Sequence, residues 1–226
     1  VGALNVLEAC RNSSELVRLV HTSTSEVYGT AQTNPISESH PLVGQSPYSA
    51  SKIGADKLAE SYYLSFGLSV VTARPFNTFG PRQTARAVIP TIASQLLSGA
   101  ATLKLGALSP TRDFNYVQDT VNGLMALACC QAANGMTVNI GSGKEWSIEE
   151  TARMLMEISG RNIPIECDEK RLRPPNSEVN RLIADNELLM ELTDWKPETE
   201  FRDGLTKTCQ WIEGNLQFFQ PESYLV

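Results

Sequence analysis

No stretch of the 226 residues approaches the ~18 apolar positions of a membrane-crossing helix, and no leader-like segment opens the chain. Positive charge is in deficit: 19 Lys and Arg stand against 25 Asp and Glu, a formal net charge of −6. An acidic chain lacks the footprint for nucleic acid or an anionic membrane, so neither is expected as a partner. Paired cysteines are missing too. Cys10, Cys129, Cys130, Cys167 and Cys209 are odd in number and form no C-x-x-C, which indicates neither a disulfide framework nor a zinc site. Reduced thiols of a cytoplasmic protein are the expectation, with no metal. His21 and His40 have no partner pattern for metal binding or nucleophilic catalysis, so packing is their default role. No repeat or low-complexity segment occurs. The chain also opens directly in a helical pattern at Val1, without a methionine or a capping residue, and so reads as a piece of a longer chain.

What is present suits a buried core, with 42% hydrophobic residues. Apolar spacing predicts a helix over 1–11, a buried strand over 16–21, a loop rich in Pro, Gly and Ser over 29–47, a helix over 46–66 stopped by Gly67, and a strand over 68–73. Strands separated by helices imply parallel pairing, with ligands beyond the carboxyl ends of the strands. Further on, the pattern predicts helices over 88–97, 117–130, 147–159, 186–192 and 201–215, with short strands at 102–105, 112–116, 136–140 and 163–166. The apolar face of the 117–130 helix is expected at Val117, Val121, Leu124, Met125 and Ala128.

The chemistry concentrates between Thr22 and Lys52. Tyr48 and Lys52 are four apart in a helical segment, so the ammonium sits one turn from the phenol and favours its phenolate. Alone, this pattern is common as a surface tyrosine packed on a lysine stem. Here Thr24-Ser25-Glu26 precedes it at a strand end, and Arg74-Pro75-Phe76-Asn77 follows the next strand. A hydroxyl, a carboxylate and a tyrosine–lysine pair are the parts of a proton-transfer site. Gly141-Ser142-Gly143-Lys144 imitates a phosphate loop, but Val138 and Trp146 stand where the diagnostic glycines belong, so it reads as a strand-to-helix turn.

These segments resemble the extended short-chain dehydrogenase/reductases, within them the nucleotide-sugar epimerase/dehydratase group. The resemblance rests on Ser23–Gly29, Tyr48–Lys52, Arg74–Arg82, Arg112–Val117 with Asp119, and Asn139-Ile140-Gly141. It is nearest to the nucleotide-sugar 4,6-dehydratases of the legionaminic-acid type, through Val88–Thr91, Ser109–Val117 and Arg171–Pro174. It implies an α/β fold: a partial Rossmann-type parallel sheet with a smaller C-terminal α/β substrate domain. Residues 1–82, with 111–141 returning, would belong to the NAD domain, and 83–110 and 142–226 mainly to the substrate domain.

The resemblance further implies NAD as cofactor and a nucleotide-diphosphate sugar as substrate. Thr24, Glu26, Tyr48 and Lys52 are the expected catalytic residues, and Thr22, Ser23, Tyr48, Lys52 and Pro75 the cofactor contacts. Ser25, Asn77, Val88, Lys104, Arg112, Arg173 and Glu178 are the expected substrate contacts. Glu26 favours dehydration over simple 4-epimerisation, whereas uronate decarboxylases carry a similar segment and stay a rival; an inactive Rossmann-type binding module is a distant one. Ser25 departs from members with an aspartate acid there, which leaves protonation of the departing hydroxyl unassigned; the resemblance to guanosine-type dehydratases with Thr-Ser-Glu implies that Glu26 could perform both steps. A homodimer through the Tyr48 helix is implied, with Ile53, Leu58, Ala59 and Tyr62–Leu64 compatible with that contact and equally suited to packing within the chain. The glycine-rich dinucleotide fingerprint is absent, so about 90 to 100 residues of a first mononucleotide-binding half are expected upstream.

Overall fold

The structure, a computed structural model, describes residues 1–172 and 179–219. In chain order its elements are α1 (Gly2–Arg11), β1 (Leu19–Thr22), a 3-10 turn over Ser25–Tyr28, α2 (Pro47–Phe66), β2 (Val70–Pro75), β3 (Asn77–Phe79), α3 (Val88–Leu97), β4 (Leu103–Leu105), β5 (Thr111–Arg112), β6 (Phe114–Tyr116), α4 (Val117–Cys129), β7 (Thr137–Ile140), β8 (Trp146–Ser147), α5 (Ile148–Ser159), β9 (Ile165–Cys167), β10 (Arg181–Leu182), α6 (Glu187–Leu192) and α7 (Phe201–Glu213).

β2 is the middle of a parallel sheet ordered β1-β2-β7. Its sequence Val-Val-Thr-Ala-Arg is buried throughout, as a strand covered on both faces must be. Alternation along it separates two cores. Val70 packs with Leu7 of α1 and Ala59 and Tyr62 of α2, whereas Val71 and Ala73 pack with Leu127 of α4, Val138 and Ile140 of β7, and Leu189 and Trp195. Helices therefore cover both faces, and the carboxyl ends at Thr22, Pro75 and Ile140 share one rim. A separate core joins α3, α5 and α7 with β4 and β6, and there Phe114 stacks on Phe201 at 5.5 Å.

α2 is the best-specified element. Ser46 caps it, accepting from Ser49 N while Ser49 Oγ accepts from Ser46 N, and Pro47 supplies a preset φ in the first turn. Such a cap stabilises a helix by about 1 kcal/mol. Gly67 ends it with φ 64°, a conformation that a side chain disfavours.

Two expectations are corrected by the packing, and the residues offered for a dimer contact are given their places by it. The first strand is displaced to Leu19–Thr22, pairing from Leu19 with Val70 to Thr22 with Ala73. In α4 the buried face is Asp119, Thr120, Gly123 and Leu127, while Val121 and Met125 are 43% and 60% exposed. The small Gly123 lets the helix approach Ile140 closely, and the Asp119 carbonyl accepts from the Trp195 indole at 2.8 Å. Finally, Ala59 and Tyr62 lie in the core, with Leu58 and Tyr63 packed against it, and Ile53 packs beneath the 29–47 loop; of the positions expected at a dimer contact, Leu64 is open, at 72% exposure. α6 and Trp195 also pack on the sheet rather than with the α3–α5–α7 core.

Candidate active site

The rim of the sheet and the start of α2 bring the chemical groups together. Lys52 Nζ donates to the Thr22 carbonyl at 2.7 Å, which anchors α2 over the end of β1. Tyr48, one turn earlier, keeps its side chain half exposed. Thr24 caps the 3-10 turn, its Oγ1 accepting from Glu26 N at 3.3 Å, so the hydroxyl proton stays available for donation. Gly29 closes that turn at φ 63°, and a Cβ there would meet Val43 at 3.0 Å. The 29–47 loop is thereby held against the turn, with Val43 N donating to the Val27 carbonyl.

Glu26 lines a chamber of about 300 Å³ with Gln45, Ser46, Ser49, Asn77 and Arg112. Asn77 and Arg112 also line a second cleft of about 340 Å³, so the two adjoin. Val88 is in this cleft, together with Arg86 and Arg171. Among the described residues, three guanidinium-bearing side chains and no carboxylate line it, in a protein of net charge −6. Among the described residues the buried Asn77 Oδ1 and Gln83 Oε1 have no hydrogen-bond partner, so both acceptors are available to a donor there.

Other expected residues take different places. Ser23 and Ser25 are buried, and Pro75 ends β2 beside Ile140. Lys104 is outside the cleft: strand alternation turns Leu105 toward it, with Gly106 just past the strand also in its lining, and leaves Lys104 on another, open surface with Glu166 and Asp168. Arg173 and Glu178 lie outside the described residues. Sequence reasoning did not assign Gln83, Arg86 and Arg171 to the site. The signal for Arg171 is Gly106, where any Cβ would stand 2.6 Å from the Arg171 carbonyl oxygen.

Beneath the rim runs a buried polar chain. His21 Nε2 donates to Asp56 Oδ1 at 3.1 Å, and Arg74 Nε and Nη2 donate to Asp56 Oδ2 at 3.2 and 3.0 Å. Arg74 Nη1 donates to the Tyr28 hydroxyl at 3.0 Å, and that hydroxyl donates to Asn139 Oδ1 at 2.7 Å. Burial pushes the Asp56 carboxyl up, but the His21 hydrogen bond and the Arg74 charge outweigh it and hold Asp56 below its ordinary range. Burial raises the Tyr28 phenol despite Arg74 beside it.

Asp113 supports the neighbouring strand ends. Its carboxylate accepts from the backbone N–H groups of Ser142, Gly143 and Ala184 and from the Ser142 hydroxyl. Burial pushes its pKa up, and those hydrogen bonds oppose the shift. The phosphate-loop-like turn is thus filled by a carboxylate of its own chain.

No His/Cys/Asp/Glu cluster among the described residues could hold a metal, and no helix among them is long and apolar enough to cross a membrane. The donor set at the α2 rim fits the nicotinamide end of a dinucleotide. Lys52 uses one ammonium proton on Thr22, leaving others for ribose hydroxyls beside the half-exposed Tyr48.

The family model described as GDP-mannose 4,6 dehydratase matches residues 1–208. A dTDP-glucose 4,6-dehydratase of an Actinoplanes species is 34% identical over 218 residues, covering 95% of this chain and 66% of that protein. The crystal structure of a dTDP-glucose 4,6-dehydratase from Bacillus anthracis in complex with NAD superposes with a TM-score of 0.88 at 30% identity, covering 97% of this chain and 69% of that one. A UDP-glucuronic acid 4-epimerase from Bacillus cereus, in complex with UDP-glucuronic acid and NAD, gives 0.87 at 28% identity, covering 94% and 66%. The chain therefore spans about two thirds of the length of these relatives, which are enzymes with Rossmann-type folds.

Proposed function

We propose that this chain, which belongs to the GDP-mannose 4,6-dehydratase family, carries the catalytic groups of an NAD-dependent nucleotide-sugar 4,6-dehydratase. One observation supports this most: the arginine cleft, lined among the described residues by no carboxylate, shares Asn77 and Arg112 with the chamber that holds Glu26. Guanidinium forks suit the oxygens of a diphosphate, which places the sugar toward Glu26 and the α2 rim. Arg112, Arg86 and Arg171 are the proposed diphosphate contacts, and Val88 borders the nucleoside.

Tyr48 takes the proton of the sugar 4-hydroxyl, with Thr24 donating to the same oxygen and Lys52 supplying the adjacent positive charge. NAD, held at its nicotinamide ribose by Tyr48 and Lys52 with Thr22, Ser23 and Pro75 beside it, supplies the hydride acceptor for C4 and the donor for C6. Glu26 then removes the C5 proton of the 4-keto sugar and returns a proton to the departing 6-hydroxyl, so water leaves and a C5–C6 double bond forms. Reduction at C6 and reprotonation at C5 give the 4-keto-6-deoxy sugar, with no net redox change. A simple 4-epimerase has no use for a C5 base, so Glu26 favours elimination.

The test is Glu26→Gln in the complete protein. Dehydration should fall about 10²- to 10⁴-fold while oxidation at C4 persists; full dehydration by the variant would sink the reading. Two further statements belong to it. The 226 residues alone are inactive, which NAD-dependent turnover by the isolated chain would refute. The complete protein is a cytoplasmic homodimer joined through α2, where Leu64 and Phe66 are exposed; a monomer by sedimentation would contradict this.

A further inference from the structure

We infer that Arg74 is a positioning residue that sets the separation between two proton-transfer groups, Tyr48 on α2 and Glu26 on the 3-10 turn. The inference rests on the dehydratase reading, in which both groups act on one sugar.

The geometry carries it. Asp56 continues the helical series 48, 52, 56, so it lies one turn beyond Lys52 on the side of α2 that meets the sheet. Arg74 holds that carboxylate through Nε and Nη2. Its remaining terminal nitrogen, Nη1, goes to the Tyr28 hydroxyl, two residues after Glu26 in the same short turn. One planar guanidinium thus reaches the Tyr48 helix with one edge and the Glu26 turn with the other. Tyr28 is in turn fixed by Asn139 of β7, and His21 of β1 holds the second oxygen of Asp56. The chain ties the two catalytic elements to all three strands of the sheet.

Its burial argues that the bridge is rigid. Asp56, Arg74 and Tyr28 are 4%, 4% and 0% exposed, so water has little access to replace a lost bond. A buried ion pair adds little net stability over apolar packing, and its better-attested contribution is to fix one geometry. Arginine is required for this. A lysine ammonium is a point donor and cannot span the carboxylate and the phenol in one plane. Oxidation at C4 needs Tyr48 and Lys52, which α2 carries together, whereas elimination also needs Glu26 at a set distance from them. Loosening the bridge should therefore uncouple the second step from the first.

Tyr28→Phe removes the hydroxyl through which Arg74 hydrogen-bonds the Glu26 turn and keeps the ring in the core, 4.9 Å from the guanidinium carbon. Arg74→Lys, which retains the charge opposite Asp56, is the second variant. Each is compared with the wild type in the complete, NAD-loaded protein, by single-turnover formation of the 4-keto hexose and by yield of the 4-keto-6-deoxy product. Crystal structures of the variants give the Glu26–Tyr48 separation independently of turnover. The expected result is elimination slowed about tenfold or more relative to C4 oxidation, with the 4-keto hexose released and the separation changed by a sizeable fraction of ~1 Å. Equal loss of both steps, or an unchanged separation, would overturn the inference. A wild type that dehydrates no nucleotide hexose would instead overturn the reaction reading, and the separation alone would then decide for or against the positioning role.

Discussion

The Lys52 ammonium and the Thr22 carbonyl oxygen are joined at 2.7 Å, so the tyrosine–lysine helix is fastened to the strand that leads into the Glu26 turn. Replacing Lys52 by Met removes both this anchor and the charge beside Tyr48. Turnover of the complete protein should drop by at least about 10², and the purified variant should carry less NAD, read from its absorbance after denaturation. Normal turnover with full NAD content would remove Lys52 from the site.

Arg112 lines both the Glu26 chamber and the adjoining cleft proposed to take the diphosphate. Exchange for Lys keeps the charge but loses the fork. Binding of a nucleoside diphosphate, followed by titration calorimetry, should weaken about tenfold to a hundredfold, in keeping with the ~1.5–3 kcal/mol of a hydrogen bond to a charged group. An unchanged affinity would place the diphosphate elsewhere.

Asp113 fills the 142–143 turn and also holds the Ala184 N–H, which is 2% exposed as a residue. Asp113→Ala strands that donor and frees the turn. Urea unfolding should show a loss of about 2 kcal/mol or more.

Stability at acid pH should depend on Asp56. Its pKa is lowered from 3.8 in the folded protein, so its contribution is present above the unfolded value and is lost as the pH falls through the folded one. The unfolding free energy should decline as pH drops below about 4, and Asp56→Asn should flatten that limb. An identical acid limb in the variant would mean that Asp56 is not linked to folding.

Much of this architecture was legible because its signals are local. Ser46, Pro47 and Gly67 bracket α2 within its own sequence, and the run at 68–73 announced a strand, which the structure has at Val70–Pro75. The face of α4 was not legible, because Gly123 faces inward for closeness to Ile140 and Trp195, and Thr120 for hydrogen bonds with Asn115 and Thr78, rather than for hydrophobicity. Lys104 misleads in the same way, since a charged residue near the cleft in sequence is turned off it by the period of a strand. The Arg74 bridge was invisible for a different reason. Its partners are 18 and 46 residues away, and the Tyr28–Asn139 bond spans 111. Only the fold brings them into register.

The central claim is that Glu26 acts as a C5 base beside the Tyr48–Lys52 pair. The most direct measurement incubates the complete protein with UDP-, GDP- and dTDP-hexoses in deuterated water and examines the product by NMR. The account predicts a 4-keto-6-deoxy sugar with a solvent deuteron at C5 and the original C4 hydrogen at C6. A C4 epimer that keeps its 6-hydroxyl and its C5 hydrogen, or turnover confined to uronic acids with release of carbon dioxide, would contradict it.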